Sequence, residues 1–208
     1  SESVVLSGHQ KEFFDLQIEN KVSLFSIAFQ PEGLMKFFNI PLIEFYNQNI
    51  PLKFIDKKLE QEIFPKIQSA NSFEDRVEIA NAHFIRLLTK NHSTFEFKRI
   101  SYIVNMIKAS KGLIDVESLS SKACLSRKQF ERVFAAKIGA TPKQYLKIVR
   151  LQQVLKLKSQ NKRRSLTQLA YDCGYYDQSH FINEFKTQTG YTPKEYFNRY
   201  ESFSDLFG

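Results

Sequence analysis

Residues 129–145, QFERVFAAKIGATPKQY, return 51 residues later as residues 180–196, HFINEFKTQTGYTPKEY. Phe130 matches Phe181, Phe134 matches Phe185, and Gly139 matches Gly190. Thr141-Pro142-Lys143 matches Thr192-Pro193-Lys194, and Tyr145 matches Tyr196. Self-similarity of this length at a fixed offset is the mark of a repeated supersecondary unit. The C-terminal half must therefore be built from two copies of one small fold.

Each copy is punctuated as helix, tight turn, helix. Asp115 caps a helix over 116–123, and Ser126 with Gln129 forms a capping box for the next, the hydroxyl and the amide each satisfying an orphan backbone N–H. That helix runs to Ile138 and ends at Gly139, a residue that tolerates the left-handed conformation. Thr141 and Gln144 make a second box, with Pro142 where its missing N–H does no harm, and open a long helix. The second copy repeats these devices with Ser165 and Gln168, Gly174 in the turn, Asp177 as a cap, Gly190, and Thr192 with Glu195. Two short helices joined by a three- or four-residue turn form a helix-turn-helix unit. The expected fold is mainly α, with a seven-helix domain over 98–200 in which a long helix joins two such units.

In a helix-turn-helix unit the second helix enters the DNA major groove, its N-terminal residues meeting base edges. Phe130, Val133 and Phe134 supply the inner face of that helix in copy one, and Phe181 and Phe185 in copy two. Removing them leaves Lys128, Glu131, Arg132 and Ala135 outward in copy one, with Arg127 at the start. In copy two the outer residues are Ser179, Ile182, Asn183 and Lys186, with Gln178 at the start. Arg132 suits guanine, Asn183 or Gln178 suits adenine, Glu131 can accept from a cytosine amino group, and Ile182 can touch a thymine methyl. Each good bidentate pair contributes about 1–3 kcal/mol of discrimination. Thr141, Lys143, Thr192 and Lys194 begin the helices that follow and are expected at phosphates. The alternative for Arg127, Lys128, Arg132 and Lys186 is an ordinary solvated face. For Arg150, in mid-helix, a structural ion pair is expected.

Charge follows the same division. The net charge of +8 conceals 20 Lys and Arg against 7 Asp and Glu in residues 98–200, and 10 against 13 in residues 1–97. A basic half beside a mildly acidic one suggests a polyanionic partner for one end only. Residues 3–30 read as short strands: Val4-Val5-Leu6, Phe13 to Leu16, and the alternating stretch Val22 to Phe29, with a turn at Asn20-Lys21. Short helices are expected near 32–38 and 42–46. From Asp56 the apolar period becomes helical, with Pro65 ending or kinking the first helix, a second helix over 72–88, and a linker at Asn91 to Thr94. This gives a partial β-rich region over 1–55, a helical pair over 56–97, the domain at 98–200 and a tail at 201–208. Ser1 is not an initiator Met, and the first residues read as the middle of a β-rich domain, so an upstream part is expected to be missing.

Residues 98–200 resemble the AraC/XylS family of bacterial transcription regulators. The resemblance rests on Leu169-Ala170, Gly174-Tyr175, Asp177 to Phe181, Phe185-Lys186, Gly190 to Pro193 and Tyr196. Copy one carries a weaker version through Ser126, Phe130, Phe134, Gly139, Pro142, Tyr145 and Arg150-Leu151. It implies a two-unit domain whose reader helices enter successive major grooves about 34–36 Å apart. For residues 1–97 it implies a regulatory region, often a small cupin-like β-barrel sensor followed by dimer-forming helices. Double-stranded DNA is then the main partner, with a small-molecule effector, RNA polymerase and a second copy of the chain as further ones. Two departures stand out: Cys124 occupies a turn position often held by Gly, and Ser120 replaces a usual Ala, so copy one is expected to be strained or tilted.

Other chemistry finds little footing. Cys124 and Cys173 are too few for a disulfide framework, and neither has a CxxC neighbour or nearby His. His9, His83, His92 and His180 lack metal-ligand spacing, and neither a Gly-rich phosphate loop nor a nucleophile elbow is found. No cofactor, metal or catalytic residue is expected. With neither a membrane-length apolar run nor a signal-peptide pattern, the expected setting is cytoplasmic, at the nucleoid. Two rivals stay open: an architectural DNA binder without sequence preference, and an enzymatic or sensor β-domain with a DNA-binding appendage.

Overall fold

A computed structural model describes residues 4–10, 23–38, 40–90 and 94–199. Among these, backbone contacts define two units: 4–10, 29–38, 40–90, 94–101 and 134–140 in one, and 23–28, 102–133 and 141–199 in the other.

The first unit opens with β1 (Val5–Ser7), antiparallel to β2 (Asn49–Pro51), with Leu6 opposite Ile50. Single turns at Leu34–Lys36, Leu42–Phe45 and Leu52–Phe54 match the short helices expected near 32–38 and 42–46 and add a third. Asp56 then caps α1 (Lys57–Ser69), accepting the Leu59 N–H at 2.9 Å. Pro65 lies inside α1 without ending it. One ladder bond is lost there, but Leu59, Ile63 and Ile67 all pack on the core and hold the last turn in place. Ser72 and Asp75 cap each other's backbone N–H at the start of α2 (Phe73–Lys90). Phe38, Leu52, Leu59 and Ile63 form the buried centre. The Phe84 ring meets Phe29 and Phe37 edge-on at 5.1 and 5.0 Å, the geometry aromatic quadrupoles favour.

One expectation fails here. Residues 23–29 of the alternating stretch form neither strand nor helix, and Leu24 and Ile27 are exposed. Alternation produces a strand only where a partner ladder and an apolar surface receive it, and among the described residues no strand pairs with this segment. The strand expected at Phe13 to Leu16, the turn at Asn20-Lys21, the linker at 91–93 and the tail at 201–208 lie outside the described residues.

Seven helices follow: α3 (Phe95–Ala109), α4 (Val116–Lys122), α5 (Arg127–Ile138), α6 (Pro142–Gln160), α7 (Leu166–Asp172), α8 (Gln178–Thr189) and α9 (Pro193–Arg199). In α3 the stripe Ile100, Ile103, Val104, Ile107 has no exposed surface. The caps form as the sequence dictates. Asp115 accepts the Ser118 N–H at 2.8 Å, Thr141 and Ser165 make full capping boxes, and Asp177 accepts the His180 N–H at 2.7 Å. Gly139, Gly174 and Gly190 take φ of 83°, 70° and 78°. At Gly174 the close approach is also steric, since a Cβ would run into the Leu113 side chain.

In the second copy the core is Val154, Leu169, Ala170, Cys173, Tyr175, Phe181 and Phe185. A buried carboxylate joins it: Glu184 of α8 meets Arg150 and Lys147 of α6, each at 3.1 Å. Arg150 thus has the structural ion pair expected of it. Removing one partner from such a buried pair would strand a charge in a dry setting.

Candidate nucleic-acid interface

The site is built on α5 and α8, and the apolar positions of each helix decide which face is left over. Phe130 and Phe134 on α5, and Phe181 and Phe185 on α8, are completely buried. With those sides fixed inward, Arg127, Lys128 and Arg132 are exposed on α5, and Glu131 is partly so. On α8, Gln178, Ser179, Asn183 and Lys186 are exposed. Ile182 is only half-exposed and packs against the second core, so its apolar character has a structural use beside any contact it makes outward. Thr141, Lys143 and Lys194 are exposed and Thr192 partly so, all in the first turns of α6 and α9 or at their caps.

The leading residues of the two readers are not free-swinging. Arg127 donates from Nε to Glu131 Oε1 at 3.2 Å and lies 3.9 Å from Glu117 Oε2. It also lines a shallow concavity with Lys143, Arg150 and Asp115, which brings one expected base reader beside one expected phosphate binder. In copy two the Thr167 hydroxyl donates to Gln178 Oε1 at 3.1 Å. Neither Glu117 nor Thr167 stands out in the sequence. Their signal is the second position of the helix preceding each reader, visible only once the two helices are packed.

Electrostatics separates working groups from structural ones. Thr192 holds the Glu195 carboxyl below the usual carboxylate range by hydrogen bonding through its hydroxyl and N–H. Asp115 is lowered in the same way by Ser118. Both acids are spent on caps. The Cys173 thiol is pushed up to about 11, first by burial, and stays neutral. Cys124 is exposed and holds φ at 54° in the copy-one turn, the conformation that Gly takes at least cost. Ser120 is buried and donates to the Glu117 carbonyl at 2.8 Å, so its hydroxyl is satisfied where Ala would need no partner. Among the described residues no cluster of His, Cys, Asp or Glu is arranged to hold a metal ion, and no helix is long and apolar enough to cross a membrane.

Two duplicated units with capped, outward-facing second helices define a helix-turn-helix protein. Residues 119–199 match the helix-turn-helix domain family, and residues 1–51 match a domain of unknown function, DUF6597. Over this C-terminal stretch the chain is similar to helix-turn-helix domains. The HTH-type transcriptional activator RhaS of Mannheimia succiniciproducens is 25% identical over 206 residues, covering 92% of this chain and 76% of that one. The probable transcriptional regulator LumQ of Photobacterium leiognathi is 36% identical over 83 residues, 40% of this chain and 33% of that one. The HTH-type transcriptional regulator ArgR of Pseudomonas aeruginosa is 25% identical over 111 residues, 53% and 33%. The chain therefore spans about a third of the latter two relatives and about three quarters of the first. A crystal structure of the DNA-binding domain of AdpA in complex with a target DNA aligns at a TM-score of 0.45 and 26% identity, covering 50% of this chain and 93% of that one.

Proposed function

We propose that this chain is a sequence-specific, double-stranded-DNA-binding transcription regulator of bacteria, reading adjacent major grooves with α5 and α8. The observation that carries this is the matched exposure of the two readers. Each buries a Phe pair completely and turns a polar N-terminal face to solvent. Base contacts are assigned to Arg127, Lys128, Glu131 and Arg132, and to Gln178, Ser179, Ile182, Asn183 and Lys186. Phosphate contacts are assigned to Thr141, Lys143, Thr192 and Lys194. The protein works without catalysis, in the cytoplasm at the nucleoid.

Residues 1–97 are the regulatory part of this reading, with a small-molecule effector acting through the N-terminal region and RNA polymerase as the downstream partner. A homodimer through α1 and α2 is supported by the exposed apolar residues Phe73, Ile85 and Leu88 on α2. Sedimentation should then show self-association, and a monomer at high concentration would remove the dimer. The test of the main reading is competition binding. Labelled selected DNA should resist a large excess of random duplex. If random duplex competes equally well, the protein is an architectural binder instead.

A further inference from the structure

We infer that Glu117 and Thr167 are positioning residues, Glu117 helping to aim the Arg127 guanidinium and Thr167 setting which group Gln178 offers to DNA, so that both readers lead with donors to guanine. This rests on the proposed reading of base edges by α5 and α8. The starting observation is a device that occurs twice. Glu117 is the second residue of α4 and Thr167 the second residue of α7, while Arg127 and Gln178 are the first residues of α5 and α8. In copy one Arg127 Nη1 lies 3.9 Å from Glu117 Oε2. In copy two Thr167 Oγ1 donates to Gln178 Oε1 at 3.1 Å. One contact is a long ion pair and the other a hydrogen bond, yet the same two places meet in each unit.

Stability is a poor explanation for these ties. The Arg127 and Glu117 side chains are 62% and 73% exposed, and Thr167 and Gln178 are exposed too. Exposed pairs of this kind add little to folding. What they change is the chemistry left facing outward. A free Gln side chain offers a carbonyl acceptor and an amino donor, which together fit adenine's N6 amino group and N7. With one lone pair of its carbonyl taken by the Thr167 hydroxyl, Gln178 offers its NH2 group ahead of its oxygen. Guanine carries two acceptors, N7 and O6, on the same edge. Arg127 reaches the same result by another route. Glu131 and Glu117 hold its guanidinium from two sides, and a guanidinium has only donors to offer. The tie to Thr167 therefore shifts Gln178 from the adenine expected of an unconstrained amide to guanine.

The test is selection of bound duplex from a random pool by the full 208-residue chain and by single variants, with thermal melting alongside. The wild type should recover guanine at the position under the start of each reader. Thr167→Val should keep the thermal midpoint and the α5 half-motif, while its guanine-to-adenine ratio under Gln178 falls about tenfold. Gln178→Glu leaves only acceptors and should move that position to cytosine, whose amino group donates. Glu117→Ala should loosen guanine under α5 alone. Adenine under Gln178 in the wild type would overturn the inference. So would an unchanged motif in Thr167→Val, whether or not the midpoint falls. These results would leave the regulator reading standing, whereas a pool with no shared motif would remove both.

Discussion

At the residue scale the molecule separates side chains that hold the fold from those left for a partner. Arg150 and Lys147 are absorbed by the buried Glu184 carboxylate, while Arg132, Asn183 and Lys186 stay exposed. Arg132→Ala should relax a single base position by about 1–3 kcal/mol, seen as loss of preference there in a selected pool. Lys194→Ala should instead weaken all sequences alike and lower the salt slope by about one, measured by binding across a salt series. The cysteines give a second check. Cys124 is exposed and Cys173 buried, so iodoacetamide should modify only Cys124 in the native protein. Because folding raises the Cys173 pKa to about 11, its contribution to stability is complete below the ordinary thiol range. It is lost as pH rises through that range towards 11, a trend that should vanish in Cys173→Ala.

At the element scale the caps and turns decide where helices begin and end. Ser165→Ala removes half of a capping box and should cost about 1 kcal/mol, read from a urea midpoint. Cys124→Gly should do the reverse, stabilising by roughly 0.5–1 kcal/mol, since a non-Gly residue pays more at φ near 54° than glycine loses in chain entropy. Nearly all of this was legible in the sequence, because a cap is a local device: Ser126, Thr141, Asp177 and Gly190 act within a few residues of themselves. The alternating stretch at 23–29 was misread because strand pairing depends on a distant partner that local pattern does not contain. The ties of Glu117 to Arg127 and Thr167 to Gln178 were hidden for the same reason. They join residues ten or eleven positions apart, across a turn, and only the packed angle of two helices brings them together.

At the scale of the whole molecule, duplication and charge decide what the chain can bind. The two copies were readable because Phe, Gly and Thr-Pro recur at a fixed offset. Which base each exposed residue meets was not, since that depends on both groove and register. The basic residues concentrate in 98–200, so binding to any duplex should weaken steeply with salt, while the preference between sequences persists. Selection of bound duplex from a random pool decides whether α5 and α8 read DNA together. Two short half-motifs about one helical turn, roughly 10 base pairs, apart are predicted, one relaxed at a single position in Arg132→Ala and the other in Asn183→Ala. A single half-motif, or two at a separation that both variants leave unchanged, would contradict it.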